Sequence, residues 1–217
     1  MASFMIGSAI GESWKLFKLR PWFYVGFIGV YFLVYVALGM VAEIEYVGWA
    51  ITFVGELLLT MGSLQVAITG ARGGVPKLKQ LFTTYERILP FLGGMIVTAI
   101  ITLLGFVLLI IPGIIASLGL QFFAYFILDK GYSVRESLRA SWDATKGSKW
   151  QLLGLGIVLV LINFVGILLF GVGLFVTIPL SMLTMAHVYL VLSGSRSEVT
   201  ELNEPGQSSI PAVGSQA

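Results

Sequence analysis

The side chain with the clearest capacity for chemistry is Glu56, a carboxyl in the middle of a long apolar run. An ionisable group in hydrocarbon costs about 3 kcal/mol on insertion scales, so its presence calls for a function or a partner. In a helix, the hydroxyls of Thr52, Thr60 and Ser63 would share one stripe with it. One interpretation is a proton or cation site. The other is a neutral acid that hydrogen-bonds to Thr60 and Ser63 and fixes the packing of its helix.

Two further polar residues, Asn163 and His187, also fall inside apolar runs. Single Asn and His side chains in membranes usually hydrogen-bond to a neighbouring helix, at about 0.6 kcal/mol each. The chain has one histidine and no cysteine. It therefore lacks the ligand spacing of a metal site, and we predict no metal and no cofactor.

Three acidic residues stand near basic ones, namely Asp129, Glu136 and Asp143. A carboxylate pair for hydrolysis is one reading, but solvated salt bridges are the commoner role of such residues. Some glycines of the chain are separated by a single residue, as in phosphate-binding loops. These pairs are not such loops, because they lie in apolar runs with no strand before them. We therefore predict no catalytic residues and a protein that is not an enzyme.

Composition determines which elements must position these residues. Of 217 residues, 57% are apolar and 11% are charged, and the mean hydropathy is +0.94. Soluble domains carry about 25% charged residues, so the polar surface here is too small for a water-soluble globule. The basic residues do not form the concentrated patch that nucleic-acid binding requires. We predict an all-α integral membrane protein with no nucleic-acid partner.

Long apolar runs predict the number of membrane spans. A hydrocarbon core about 30 Å thick is crossed by about 20 helical residues. Because the fourth run is short, Pro112-Gly113 forms either the turn before a thin span or a turn buried within the membrane. Residues 1–195 would form one transmembrane domain, followed by a disordered cytoplasmic tail over 196–217. The six predicted spans are 22–42, 47–69, 91–111, 114–128, 150–170 and 174–192.

The basic residues lie on one side of these spans. Twelve of the thirteen Lys and Arg residues precede the first span or connect the second to the third and the fourth to the fifth. The thirteenth, Arg196, follows the sixth span, and the other connections carry only Glu43 and Glu45 or no charge. The positive-inside rule makes the basic side cytoplasmic, so we predict that both termini lie in the cytoplasm.

Three stretches on the basic side, 4–19, 75–89 and 133–149, carry apolar residues at helical spacing among charged ones. Amphipathic helices with aromatic anchors lie in the lipid headgroup layer. The alternative is that each helix docks under the transmembrane bundle. The predicted interfacial anchors are Trp14, Trp22, Trp142 and Trp150.

The order of amphipathic helix, span, short turn and span occurs three times, which predicts three hairpins. Parallel repeats of this kind would give a pseudo-threefold arrangement about the membrane normal. The internal repeat is supported by residues of the first unit that match the third at one constant offset: Ser13-Trp14, Lys18 and Trp22 against Ser141-Trp142, Lys146 and Trp150.

A set of short motifs occupies residues 109–179: Ile111-Pro112-Gly113, Asp129-x-Gly131, Glu136, Ser141-Trp142, Lys146-Gly147, Trp150 and Thr177-Ile178-Pro179. In these motifs the chain resembles a broad group of prokaryotic six-helix membrane proteins. They are grouped with the membrane domain of glycerophosphoryl diester phosphodiesterases. The resemblance implies a six-helix fold in the plasma (inner) membrane of a prokaryote. We expect no soluble phosphodiesterase barrel, since no part of this sequence is long enough to contain one, and so no catalysis is carried over.

These features predict a non-enzymatic polytopic membrane protein that engages lipid headgroups or a partner through its cytoplasmic amphipathic helices. Its expected partners are membrane lipids, with a protein partner or a second copy of the chain as a further class. The alternative function is a small transporter or channel that uses Glu56 in a polar pathway. Such a pathway would require Glu56, Asn163 and His187 to line one cavity.

Overall fold

The computed structural model describes residues 4–44, 47–81, 85–169 and 171–195. This part of the chain is helical and contains no strand. Its α-helices, in chain order, are α1 Ile6–Leu19, α2 Pro21–Ala42, α3 Gly48–Ala71, α4 Ile88–Leu108, α5 Ile110–Leu120, α6 Phe123–Lys130, α7 Val134–Ala144, α8 Lys149–Leu168 and α9 Leu174–Leu192.

Six stretches of the described chain are helical, long and apolar enough to cross a membrane. Their mean hydropathy ranges from 1.6 to 2.4 in the most apolar part of each. The prediction of an all-helical chain with six helices capable of spanning a membrane is confirmed. The six stretches are Pro21–Ala42, Gly48–Ala71, Leu78–Leu108, Ile110–Lys130, Lys149–Leu168 and Leu174–Leu192; the third runs over residues 82–84, which lie outside the described part of the chain, and its α-helical part is Ile88–Leu108.

The turn between the third and fourth spans does not lie at Pro112-Gly113, where the sequence predicts it. Helix α4 ends at Leu108, Leu109 is extended, and α5 begins with the next residue. Pro112 therefore lies in the first turn of α5, where its missing N–H removes no helical hydrogen bond. The fourth span consequently runs over Ile110–Lys130, which is longer than predicted.

The connection after α3 also differs from the continuous amphipathic helix predicted over 75–89. It runs back along α3, where Leu81 is buried and its backbone lies against Gly62. The amide of Gln80 donates to the Thr69 hydroxyl at 3.0 Å. These contacts with α3 replace the regular helical hydrogen bonds. The described part of the connection contains two 3₁₀ helices, Leu78–Leu81 and Tyr85–Arg87.

The six spans fall into two classes by burial. In the most apolar part of each span, 44% of residues are buried in α3 and 50% in both the fourth span and α9. The corresponding values are 11% in α2, 17% in the third span and 22% in α8. The second span of each successive pair therefore lies at the centre of the bundle, and the first lies on its outside.

Helices α1 and α7 pack against the ends of the spans. Helix α1 contacts α9 and α8, with Ile6 against Gly154, whereas α7 contacts α4, α5 and α6. The most buried polar residues of the two helices are small hydroxyls, Ser13 in α1 and Ser137 and Ser141 in α7. We call the end of the bundle that carries α1, the 3₁₀ helices and α7 the basic end. The opposite end, which carries the short connections before α3, α5 and α9, is the turn end.

Some predicted features lie outside the described residues. They are the tail over 196–217, which includes Arg196, and parts of connections that include Glu45 and Phe82.

Candidate functional site

Glu56 faces a groove of about 370 Å³ between α3, α4 and α6. Its side chain and that of Thr60 are exposed to this groove. Among the described residues, no donor forms a hydrogen bond or ion pair with the carboxyl oxygens of Glu56. The remaining lining is apolar and consists of Phe53, Leu57, Leu64, Phe91, Met95, Phe123 and Ala124.

The hydroxyls predicted to serve Glu56 bind main-chain carbonyls instead. Thr60 donates to the carbonyl oxygen of Glu56 at 2.8 Å, and Ser63 donates to that of Thr60 at 2.8 Å. Thr52 donates to the carbonyl of Leu38 in α2 at 2.9 Å. Ser and Thr within helices commonly bond the carbonyl three or four residues earlier. The predicted hydrogen-bond network around the carboxyl is therefore not formed.

Asn163 and His187 lie apart from Glu56. The amide of Asn163 in α8 donates to the Ser181 hydroxyl of α9 at 2.8 Å and to the carbonyl of Leu159 at 2.9 Å. It thus bonds across two helices, the role expected of a single intramembrane Asn. His187 is buried within α9. No cavity described here contains Glu56 together with either residue.

A buried ionic cluster lies where α3, α6 and α9 meet at the basic end. A guanidinium nitrogen of Arg72 lies 2.7 and 2.9 Å from the two carboxylate oxygens of Asp129. The Tyr189 hydroxyl donates to the same carboxylate at 2.8 Å. The Asp129 side chain is 2% exposed and that of Arg72 is 35% exposed. Because the charged group has both a cation and a neutral donor, its burial is compensated, and the cluster joins three inner helices.

Aromatic rings hold the Tyr189 hydroxyl in position. The Tyr189 ring stacks on Tyr125 at 5.1 Å between centroids, and Phe126 meets it edge-on at 5.1 Å. Sequence reasoning assigned Asp129 to a solvated salt bridge and did not identify Arg72 or Tyr189 as its partners. One feature of the sequence could have indicated this pair: Asp129 and Arg72 each lie at the basic end of an apolar run. The cluster ties α3, α6 and α9 together and so acts as a structural anchor.

The fourth span is interrupted between α5 and α6, and α7 covers the interruption. The Ser141 hydroxyl accepts the N–H of Phe122 at 3.1 Å and donates to the carbonyl of Gly119 at 2.9 Å. The Thr145 hydroxyl lies 3.2 Å from the same carbonyl. Backbone groups freed by a helix break at membrane depth need such partners. Helix α7 is thereby fixed to the bundle through its small polar face.

The four tryptophans predicted as interfacial anchors have different surroundings. Trp142 packs against Gly119, and the ammonium of Lys149 lies 3.5 Å from the centre of its ring. Trp14 is partly exposed and stacks on a phenylalanine of its own helix, α1. Trp22 and Trp150 stand in the first turns of α2 and α8 and are 85% and 83% exposed. Trp22 and Trp150 can therefore contact the medium that surrounds the protein.

A second groove, of about 190 Å³, lies between α5 and α8. Lys149 and Trp150 line it together with aliphatic side chains. Since these two residues begin α8, the polar part of the groove lies at the basic end. The aliphatic lining consists of Ile111, Ile114, Ile115, Leu118 and Leu153.

Two exposed carboxyls of α7 have settled local roles. Glu136 accepts the N–H and the hydroxyl of Ser133, which closes a capping box and lowers the pKa of Glu136. Asp143 pairs with Lys146 at 2.7 Å, and this contact lowers the pKa of Asp143. Both groups are therefore charged at neutral pH. The predicted solvated salt bridge holds for Asp143, whereas Glu136 serves as a helix cap.

Comparison with known proteins gives one family. No curated protein and no solved structure was found to match the chain. The model of a family described as a domain of unknown function, DUF7847, matches residues 21–213, which include all six candidate spans. Because the match covers most of the sequence, the chain belongs to the DUF7847 family.

Proposed function

We propose that this protein is a non-enzymatic membrane protein that engages anionic lipid headgroups through its basic end. The observation that carries the proposal is the exposure of Trp22 and Trp150 in the first turns of two outer spans. Exposed basic residues flank both, Lys18 and Arg20 before the first and Lys146 before the second. Tryptophans of this kind favour the membrane–water interface, and adjacent basic residues attract anionic lipids by about 1 kcal/mol each.

The packing of α1 and α7 supports a lipid-facing role for this end. Both helices are docked, so their exposed charged faces are held at a fixed level relative to the spans. In α1 the exposed cations include Lys15, which pairs with Glu12 at 2.8 Å, and Lys18. A docked helix keeps its cations at the depth of the headgroups without a cost for ordering a mobile segment.

The proposal is tested with the intrinsic tryptophans in vesicles. The Trp49→Phe variant removes the tryptophan that lies near the turn end, in the first turn of α3. Brominated phosphatidylglycerol should then quench the remaining fluorescence more than brominated phosphatidylcholine at the same mole fraction. Added salt should reduce the difference, because it screens exposed charges. Equal quenching by the two lipids at low salt would contradict the proposal.

We further propose that the three hairpins α2–α3, α4 with α5–α6, and α8–α9 form a pseudo-threefold repeat. Each basic-end segment packs mainly on one hairpin, although α1 also contacts α2 and α3 and the second 3₁₀ helix contacts α4. The 3₁₀ segment after α3 packs on the first, and α7 packs on the second. Helix α1 precedes all three and packs on the third. Each segment thus contacts the hairpin before its own in cyclic order, so α1 closes a ring.

Ring closure by α1 is tested by cross-linking. The chain contains no cysteine, so a pair at Ile6 and Gly154 can be joined by a short bifunctional thiol reagent. The expected product is a cross-link within one chain, because Ile6 lies against Gly154. A control pair at Ile6 and Val172, at opposite ends of the bundle, should not react within one chain. A product formed only between chains would contradict closure.

A small transporter or channel remains the second candidate, with Glu56 as its central group. The specific observation in its favour is that the carboxyl faces a groove and has no donor among the described residues. The cavities described here do not connect this groove with Asn163 or His187, so lipid engagement is the stronger proposal. The resemblance to the membrane domain of glycerophosphoryl diester phosphodiesterases stays a prediction.

We also propose an orientation for the protein. The basic end would be cytoplasmic, and the membrane would be the inner membrane of a prokaryote. Single cysteines at Leu109 and Val172, both exposed at the turn end, should react with an impermeant thiol reagent from outside intact cells. Cysteines at Lys15 and Lys79 should react only after the membrane is opened. Labelling of the Lys79 position from outside would overturn this orientation.

A further inference from the structure

We infer that the groove between α5 and α8 binds one acyl chain of an anionic phospholipid, with its phosphate at Lys149 and Trp150. This inference rests on the proposed lipid-engaging function and assigns it to a specific site. The groove combines three features: an aliphatic channel at membrane depth, a cation at one end, and an exposed indole beside that cation.

The aliphatic part of the groove matches a hydrocarbon chain. Ile111 and Leu118 both line it, and seven residues of α-helix span about 10 Å along the helix axis. A water molecule takes about 30 Å³ in the liquid, so a cavity of 190 Å³ has room for a run of roughly six groups of that size. Exposed residues elsewhere on α5 and α8, such as Ile110 and Val160, are also apolar. The medium that fills such a groove is lipid.

The mouth of the groove matches an anionic headgroup. The Lys149 ammonium is held over the Trp142 ring at 3.5 Å from its centre. An ammonium has three donors, and a cation–π contact leaves donors free to bind a phosphate oxygen. Among the described residues, Asp143 pairs with Lys146 at 2.7 Å, and no carboxylate forms a described ion pair with Lys149. The indole N–H of the exposed Trp150 supplies a further donor at the same level.

The first hairpin provides an internal comparison. Trp22 holds in α2 the place that Trp150 holds in α8, and it is equally exposed. The residue before it is Pro21, whereas Lys149 precedes Trp150. Lys18 and Arg20 also precede Trp22. None of the described grooves, however, is lined by Trp22 together with a cation, as the groove at Trp150 is by Lys149. This difference assigns the phosphate site to the third hairpin.

The test is a lipid titration of the full-length protein by native mass spectrometry. Delipidated protein is titrated with phosphatidylglycerol and, separately, with phosphatidylcholine. We expect the first phosphatidylglycerol to bind at least five-fold more tightly to the wild type than to Lys149→Gln. The matched control Lys77→Gln removes a charge of the same sign at the basic end, from an exposed side chain outside the groove, and should change the affinity less than two-fold.

Groove filling tests the acyl-chain part separately. Ile114→Phe should weaken the first binding event for both lipids, whereas Ile157→Phe, on the exposed face of α8 outside the groove, should not. Circular dichroism checks folding, and Leu118→Phe replaces Ile114→Phe if the latter is unfolded. Equal losses in Lys149→Gln and Lys77→Gln, with phosphatidylglycerol still preferred, would overturn the site and leave the proposed function standing. No preference for phosphatidylglycerol in the wild type would overturn both.

Discussion

Asp129 and Glu56 are both carboxyls within candidate spans, and the protein treats them in opposite ways. Asp129 is 2% exposed and is held by Arg72 and Tyr189. Glu56 is exposed to an apolar groove, and none of the described residues donates to its carboxyl. One acid is stabilised by the protein, and the other depends on what surrounds the protein. Depth in an apolar run therefore does not tell which acid has a partner.

The largest expected effect on stability comes from removing one partner of the buried pair of Arg72 and Asp129. Arg72→Met leaves the Asp129 carboxylate buried without its cation, which should reduce the free energy of unfolding by about 3–5 kcal/mol. Asp129→Asn should cost less, because the partly exposed Arg72 can reach solvent and an amide oxygen can still accept from Tyr189. Denaturant titration in detergent micelles measures both. The control Lys146→Met breaks an exposed pair and should change stability by about 0–1 kcal/mol. Equal losses in Arg72→Met and Lys146→Met would show that the pair is not buried in the folded protein.

The next effect concerns the neutral donor of the same cluster. Tyr189→Phe keeps the stacked ring and removes only the hydroxyl that donates to Asp129. A hydrogen bond to a charged group contributes about 1.5–3 kcal/mol, so the free energy of unfolding should fall by that amount. Tyr132→Phe is the matched control, since Tyr132 is exposed and its ring also stacks on Phe126. Equal free energies of unfolding for Tyr189→Phe and Tyr132→Phe in the same denaturant titration would contradict the hydrogen bond from Tyr189 to Asp129.

The spans could be predicted from the sequence because apolar composition is a local property. The sixth predicted span, 174–192, coincides with α9, Leu174–Leu192. The turn near Pro112 and the segment over 75–89 could not be predicted in the same way. A proline fits the first turn of a helix as well as the turn before it. The 3₁₀ segment depends on the close approach of Leu81 to Gly62, which only the folded bundle creates.

The candidate sites show the same limit. The depth of Glu56 in its span could be predicted, but the hydroxyls beside it serve main-chain carbonyls, a local preference that competes with any network. The partners of Asp129 stand 57 and 60 residues away in the chain. No periodicity connects three helices at that separation, so the cluster becomes visible only when α3, α6 and α9 are packed together.

Substitution of Glu56 should have a much smaller effect on stability than loss of the cation at Asp129. Because its carboxyl has no described donor, Glu56→Leu should leave stability within about 0.5 kcal/mol of the wild type, as for exposed substitutions in general. A neutral acid that hydrogen-bonds to Thr60 and Ser63, one of the two interpretations of the sequence, would instead give a loss of about 1–3 kcal/mol through orphaned hydroxyls. Denaturant titration decides between these values, and Glu56→Gln is the isosteric control. A loss above 1 kcal/mol in the Leu variant alone would reveal a partner for the carboxyl.

The smallest expected effect belongs to a third carboxyl, Glu136, which is fully exposed yet held by hydrogen bonds. Its pKa is lowered chiefly by the Ser133 hydroxyl and then by the Ser133 N–H. A lowered pKa in the folded state means that the charged form stabilises the fold. This contribution is complete above the ordinary glutamate pKa of about 4.3 and is lost as the pH falls through the lowered value.

The measurement is the melting temperature of wild type and Glu136→Gln, followed by circular dichroism from neutral to acidic pH. The wild type should melt slightly higher at neutral pH, and the two curves should converge in acid, because Gln cannot titrate. Ser133→Ala removes the hydroxyl that lowers the pKa of Glu136, so in that variant the pH-dependent loss should be smaller and should be complete at a higher pH than in the wild type. An unchanged pH dependence in Ser133→Ala would mean that the capping box is not what holds the Glu136 charge. That result would leave Asp129 as the one carboxyl of the three whose charge the described side chains stabilise.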